Sequence, residues 1–331
     1  MAIGANWNGA RGFTATSGPG ISLMSEFLGL AYFAEVPLVI FNIQRGGPST
    51  GMPTRTQQSD ILSCAYASHG DTKHVLLFPE DPQECFEFSA EAFNLAERLQ
   101  TPVFVISDLD IGMNDWVTDK FEWDDEQKYD RGKVLKAEDL DKMDNFGRYL
   151  DVDDDGICYR TYPGTHPEKG AFFTRGTSHD EYARYTENGD INEQTLTRLV
   201  KKFRTASELV PDPIINLSEK QGSSGVIFYG STSAAMYEAK DILNENNIEV
   251  DLMRIRSFPF NLDVWEFIEN HDLIYVIEQN RDSQMRTLIM AEGGISAEKL
   301  RSLVWFNGDP IQAKFIAKKI YERESQQALI T

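Results

Sequence analysis

The chain has 331 residues, 41% hydrophobic and 25% charged, which suits a soluble globular protein of about two domains. Acids outnumber bases 52 to 32 and the formal charge is −20, so a basic nucleic-acid footprint is excluded. No apolar run approaches the ~20 residues of a membrane helix, and the start MAIGANWNGARG lacks the basic and apolar regions of a signal peptide. A cytoplasmic protein is expected, with no membrane or nucleic-acid partner. Cys64, Cys85 and Cys158 form no CxxC pair and are odd in number, so they read as reduced thiols rather than a disulfide framework or a cluster site.

In chain order, Met1 runs straight into what reads as the interior of a helix. A Gly-Pro-Gly turn then opens a helix over Ser17–Glu35, where Ile21, Met24, Leu28 and Ala31 recur at helical spacing. Pro37–Ile43 is an apolar run typical of a buried parallel strand. The glycine- and proline-rich loop Gln44–Asp60 follows at its carboxyl end, where ligands bind in open α/β sheets. His74–Phe78 predicts a strand, Asp81 and Pro82 start a helix to about Leu99, and Pro102–Asp108 is a further strand. Residues 116–218 are rich in acids and turns with weak periodicity, and read as an excursion closed by a helix near Asn192–Arg204. A second α/β unit begins near Ser223. GVIFYG is its first strand, Ser231 caps the helix that follows, VDLMRI, LIYVIE and Leu303–Phe306 are strands, and Pro310–Tyr321 is a closing helix. The fold class is therefore α/β, with two doubly wound, mostly parallel-sheet domains joined by an irregular excursion, divided as 1–115, 116–218 and 219–331.

The loop Gln44-Arg45-Gly46-Gly47-Pro48-Ser49-Thr50-Gly51-Met52-Pro53-Thr54 combines a guanidinium, hydroxyls and glycine amides, a composition that could hold a small carboxylate. A surface turn with one solvated arginine fits the bare residues equally well. TSGPG before a helix could make an anion site at the helix N-terminus, or a plain tight turn; it has neither P-loop nor GxGxxG spacing. Asp151, Asp153, Asp155 and Gly156 imitate the opening of a calcium loop but meet Tyr162 at the twelfth position, so a solvated acidic turn is expected. No histidine pair has metal spacing, and His179-Asp180-Glu181 reads as an exposed polar loop.

The run GARGFTATSGPGISLMSEFLGLAYFAEVPLVIFNIQRGGPSTGMPTRTQQSDIL resembles the alpha subunit of 2-oxoacid:ferredoxin oxidoreductases, nearest to the 2-oxoglutarate-type and broad-range members. GDTKHVLLFPEDPQECFEF, DDDGICYRTYPGT, TRGTSHDEYARYTENGD, IYVIEQNRDSQ and NGDPIQAKFI extend the resemblance over essentially the whole chain. It implies a thiamine pyrimidine-binding-like domain followed by a transketolase C-terminal-like one. It also implies thiamine diphosphate shared with a beta subunit that carries Mg2+ and an iron–sulfur cluster. The activity implied is oxidative decarboxylation of a 2-oxoacid, 2-oxoglutarate favoured, with coenzyme A taking the acyl group and ferredoxin receiving electrons through beta. By motif, Arg45 would bind the substrate carboxylate, Thr54 would hydrogen-bond the substrate nearby, and Ser17, Gly18 and Gly20 would rim the cofactor pocket. No residue of the chain is assigned a catalytic or metal-ligating role.

The resemblance also implies a domain that starts about sixty residues earlier, carrying a YPITP-like turn and the glutamate that activates the aminopyrimidine ring. A fragment or truncated gene product is therefore expected, also without the family's gamma domain. Two other readings stay open. One is a non-catalytic alpha-like chain that only binds and stabilises beta; the other is a transketolase-like thiamine enzyme without ferredoxin.

Overall fold

The computed structural model describes residues 1–219 and 224–328, so the expected start of the second unit near Ser223 lies outside the described residues. The first unit comprises α1 (Ala2–Trp7), β1 (Phe13–Thr16), α2 (Gly18–Phe33), β2 (Leu38–Gln44), α3 (Ile61–Ala65), β3 (Val75–Leu77), α4 (Pro82–Leu99), β4 (Pro102–Asp108) and α5 (Leu109–Met113). Next come α6 (Ala137–Asp141), α7 (Gly189–Ala206) and β5 (Ile214–Asn216). The second unit holds β6 (Ser224–Tyr229), α8 (Thr232–Glu245), β7 (Val250–Ile255), β8 (Ser257–Phe258), α9 (Leu262–Glu269), β9 (Ile274–Glu278), α10 (Gln284–Gly293), β10 (Leu300–Val304) and α11 (Ala313–Ala328).

Two five-stranded sheets result, in the orders β1-β2-β4-β3-β8 and β10-β9-β6-β7-β5. Four strands of each run parallel, and the α/β class with helices on the sheets is the one expected. The antiparallel additions cross between units. β8, from the second unit, pairs with β3 through Leu76–Phe258 and Leu77–Ser257. β5, which ends the excursion, pairs with β7. We keep the division at 115 and 218 as a proposed parsing, with these two strands lent across it.

The central strands β2 and β4 are aligned over seven pairs, from Leu38–Pro102 to Gln44–Asp108. Their continuous apolar runs are buried on both faces, as parallel strands require. On one face, Leu28, Ile40, Phe104 and Phe258 share a core with Ile227, Tyr229, Met253 and Ile255, so one apolar body joins the two sheets. On the other face, α4 packs Phe88, Ala92 and Leu95 against Val39, Val75 and Val103, with Ile157 and Ala206 brought in by the excursion and α7. The outer face of the second sheet is closed by α8 and α11.

Local chemistry explains the helix starts. Asp81 accepts from the Glu84 amide at 2.7 Å with Pro82 in the first turn, and caps α4 as its sequence predicts. Ser231 precedes α8 but makes no cap bond; its hydroxyl donates instead to Asp108 at 2.6 Å, because a buried carboxylate is the stronger acceptor. The acidic turn at 151–156 is closed by its own backbone, with Asp151 accepting from the Asp155 and Gly156 amides and Lys133 pairing with Asp153 and Asp155. His179 departs from the exposed loop expected: it is fully buried, its ring stacked on Tyr149 at 3.8 Å. Among the described residues no helix is long and apolar enough to cross a membrane.

Candidate active site

The loops that follow β1, β2, β9 and β10 converge on one cavity of about 560 Å³, lined by Gly18, Arg45, Asp60, Asn280, Arg281 and Phe306 among others. Carboxyl ends of parallel strands from both sheets therefore face a single space, the usual ligand position in open α/β folds. A larger hollow of about 1000 Å³ lies between α7 and the segment around Tyr149–Arg184. It shares no lining residue with the cavity at the strand ends, and its wall, drawn from the excursion and α7, is rich in acids and bases.

Arg45 leaves β2 directly and its Nε is buried without a hydrogen-bond partner. Such an orphan donor costs about 1–3 kcal/mol unless something binds it. The loop beyond it folds back on itself: the Gly46 amide donates to the Arg55 carbonyl at 2.8 Å, and the Met52 amide to the Gly46 carbonyl at 2.7 Å. Gly51 sits at φ +44° with its missing Cβ position only 2.0 Å from the Gly46 oxygen, so no side chain fits there. Gln57 accepts from the Gly47 amide at 3.2 Å, and Gln44 accepts from the Asp60 amide at 2.9 Å, pinning both ends of the loop.

The second unit straps this loop in place. The Gln58 amide donates to the Gln279 carbonyl at 2.8 Å, and Asn280 Nδ2 donates to the Gln58 carbonyl at 3.0 Å. Gln284 Nε2 donates to the Ser59 carbonyl at 2.7 Å, while its Oε1 accepts from the Leu62 amide at 3.1 Å. Beneath the strap the buried Gln58 side chain reaches Asp108, Ser231 and Thr232. Burial holds the Asp108 carboxyl above its ordinary value, against bonds from Ser231, Gln58 and the amides of Ile111 and Asp110. Glu278 is likewise raised by burial, and it accepts from Asn280 and from the Met285 and Arg286 amides that open α10.

The residues expected at the site are placed unevenly. Arg45 and Gly18 line the cavity; Ser17, Gly20 and Thr54 do not. Thr54 lies on the exposed outer part of the loop. Gly20 is packed against Thr16, whose Oγ1 stands 1.8 Å from its missing Cβ position, so its smallness serves the start of α2. At the N-terminus of α2 the Asp60 carboxylate crowds Gly18, with Oδ1 2.7 Å from the glycine's missing Cβ position. Burial raises the Asp60 carboxyl above its ordinary value, in spite of Asn42, Arg45 and the Gly18 amide. Asn280, Arg281 and Gln284 were not legible as site residues, although the run IYVIEQNRDSQ that contains all three was singled out by resemblance.

The fit to a bound group is selective. A buried guanidinium nitrogen with no partner, beside small polar groups, suits a carboxylate. At the α2 N-terminus the Asp60 carboxylate stands beside Gly18, which sets a negative charge where an anion would approach, and among the described residues no cluster of acids, histidines or cysteines could hold a metal. The cavity of this chain thus fits a small carboxylate ligand.

Residues 1–205 match the family model for pyruvate flavodoxin/ferredoxin oxidoreductase, thiamine diphosphate-binding. This chain belongs to that family. It is 32% identical to subunit alpha of 2-oxoacid:ferredoxin oxidoreductase 2 from Aeropyrum pernix, over 99% of this chain and 51% of that protein. It is 36% identical to 2-oxoglutarate synthase subunit KorA of Methanocaldococcus jannaschii, over 79% of this chain and 68% of that one. Its fold superimposes on 2-oxoglutarate:ferredoxin oxidoreductase from Magnetococcus marinus, solved with 2-oxoglutarate, coenzyme A and succinyl-CoA bound, at a TM-score of 0.86 and 27% identity. That match covers 97% of this chain and 54% of the other. The chain spans about half the length of the Aeropyrum and Magnetococcus relatives. Its place in the family of thiamine diphosphate-binding oxidoreductase subunits carries the expected fold class and resemblance with it.

Proposed function

We propose that this chain works as alpha-subunit sequence of a cytoplasmic 2-oxoacid:ferredoxin oxidoreductase, turning a 2-oxoacid, 2-oxoglutarate by preference, and coenzyme A into an acyl-CoA. The observation that carries the reading is the buried, unpartnered Arg45 Nε facing a cavity built from strand ends of both sheets. Arg45 holds the carboxylate of the 2-oxoacid by charge-assisted hydrogen bonds. Its position directly after β2 fixes the keto carbon relative to the sheet edge, and the strap from residues 279–284 keeps the loop from sampling other positions. Thr54 would reach the substrate only as the outer loop closes over it. Ser17, Gly18 and Gly20 would shape the turn that opens α2, of which Gly18 lines the cavity.

Thiamine diphosphate, when bound, supplies the carbanion chemistry of decarboxylation. In this reading a beta partner holds its diphosphate with Mg2+ and carries the iron–sulfur cluster through which ferredoxin is reduced. The relatives named for 2-oxoacid and 2-oxoglutarate chemistry support it.

The test is coenzyme-A-dependent viologen reduction by the full gene product containing this chain, co-expressed with its beta-type partner. Arg45→Ala is expected to lower kcat/KM for the 2-oxoacid by about 10²-fold or more, the scale of a lost charged contact in a desolvated site. Unchanged turnover would return the chain to a role in binding and stabilising beta. Turnover that never reaches viologen would favour a transketolase-like thiamine enzyme.

A further inference from the structure

We propose that Arg281 receives the second carboxylate of a dicarboxylic 2-oxoacid whose first carboxylate is held by Arg45, and so sets the preference for diacids; the inference rests on the reading of this cavity as the 2-oxoacid site. Arg45 and Arg281 are the two cations on the cavity lining among the described residues, and they come from different sheets, one after β2 and one after β9. A monocarboxylic substrate would engage one of them and leave the other without use.

The backbone on either side of Arg281 is fixed to the arginine loop. Asn280 is buried, and its Nδ2 donates to the Gln58 carbonyl at 3.0 Å. Gln284 is bonded to Ser59 and Leu62, and its amide donates to Asn280 Oδ1 at 3.1 Å. Three residues thus lie between two anchors, and Arg281 is the first of them, at the cavity wall. The backbone is held while the side chain is not. Its guanidinium meets only its neighbour Asp282, through Nε at 2.8 Å and Nη2 at 3.0 Å, and the two side chains are 72% and 62% exposed. An exposed pair of this kind contributes little, because water solvates both charges well. An incoming carboxylate can therefore replace Asp282 at small cost, and the bidentate geometry that Asp282 occupies is the one a substrate carboxylate would take over.

The chemistry recognised is an anion, and a phosphate of coenzyme A is the other source of one, so the experiment separates the two. The assembled alpha/beta enzyme and its Arg281→Gln variant are titrated calorimetrically with 2-oxoglutarate, 2-oxobutyrate and coenzyme A. Affinity for 2-oxoglutarate is expected to fall at least about tenfold while that for 2-oxobutyrate stays within about twofold, with Arg281→Lys recovering part of the loss. An equal loss for both acids, no loss, a wild-type enzyme that does not distinguish the acids, or a loss confined to coenzyme A would each overturn the proposal. Its failure is separable from failure of the oxidoreductase reading. Unchanged selectivity in Arg281→Gln, with turnover still abolished by Arg45→Ala, removes the role of Arg281 alone. Selectivity lost in the variant while the wild type reduces no acceptor removes the oxidoreductase reading and leaves the diacid site.

Discussion

Two places fasten later parts of the chain to the first sheet, and they use opposite chemistry. Beside the cavity, the strap from β9 to α10 holds the arginine loop with amide groups: Gln58, Asn280, Gln279 and Gln284, over the buried carboxyls of Asp108 and Glu278. At the far end of α2, α7 is held by charge. Glu35, buried at φ +55°, accepts from Arg198 at 2.5 and 3.0 Å and from Lys202 at 2.8 Å, two residues one helical turn apart. Arg148, also buried, donates to the Glu35 carbonyl and lies over the rings of Tyr149 and Phe172. Burial alone would raise the Glu35 carboxyl, but Arg198 and Lys202 reverse this and hold it well below the usual range. The ionic fastening tolerates no missing partner. The amide fastening has many short-range bonds of modest strength, which suits a loop that must admit and release a ligand.

The largest effect is expected at the ionic end. Glu35→Ala leaves Arg198 and Lys202 buried without their counter-charge, and should cost about 3–5 kcal/mol in urea unfolding. Glu35→Gln should cost less, because it keeps the acceptor oxygen. A loss below about 1 kcal/mol for the alanine variant would show that the cluster is solvated and that the two fastenings do not differ in kind.

At the amide end, Gln58→Ala removes bonds to Asp108, Ser231 and Thr232 in one step. About 1–3 kcal/mol of stability should be lost, the cost of buried polar groups left unpaired. The sharper signature is functional. With Arg45 intact but its loop less well held, kcat should drop by more than the affinity for substrate, as expected where positioning is lost. Equal changes in stability with full activity would make the strap a structural joint only.

How much of this was readable in advance follows from sequence separation. Pro102–Asp108 was legible to the residue because a fully buried parallel strand is a continuous apolar run, and α4 because Asp81-Pro82 is a local start signal. Phe13–Thr16 was missed as a strand: four residues at a sheet edge with alternating exposure give too short a pattern. Ser257–Phe258 was beyond reach, since two residues acquire their strand only from Leu76 and Leu77, about 180 positions away. The site divides the same way. Arg45 sits in a loop whose composition advertises a ligand and Gly18 in the TSGPG turn that opens α2, whereas Arg281 lies among ordinary polar residues and joins Arg45 only through the meeting of two sheets. The Ser231 cap was misjudged because its competitor, Asp108, belongs to another sheet.

Glu35 and Glu278, both buried, give the comparison a pH axis. Glu35 has a folded pKa below the ordinary 4.5, so its stabilisation is full above 4.5 and is lost as pH falls below it. Glu278 has a folded pKa above 4.5, so the folded state binds the extra proton between 4.5 and that higher value, and stability falls as pH rises through this window. Glu278→Gln should therefore flatten the stability profile on the alkaline side of 4.5, and Glu35→Gln on the acid side. Unfolding curves at successive pH values check both. The same slope in the two variants would mean that the carboxyls are not differently housed.

The smallest effect should come from the outer edge of the loop. Arg55 pairs with Asp309 at 3.1 Å, with the two side chains 58% and 54% exposed, in a contact that also joins the arginine loop to the second unit. Water screens this pair, so Arg55→Ala should change stability by no more than about 0.5 kcal/mol. Its backbone carbonyl, which receives the Gly46 amide, survives the substitution, so the fold of the loop around Arg45 should survive as well. Near-native kcat/KM in this variant, set against a large loss in Gln58→Ala, would place control of the loop in the buried amides rather than in the visible ion pair. A loss in Arg55→Ala as large as that in Gln58→Ala would reverse that assignment.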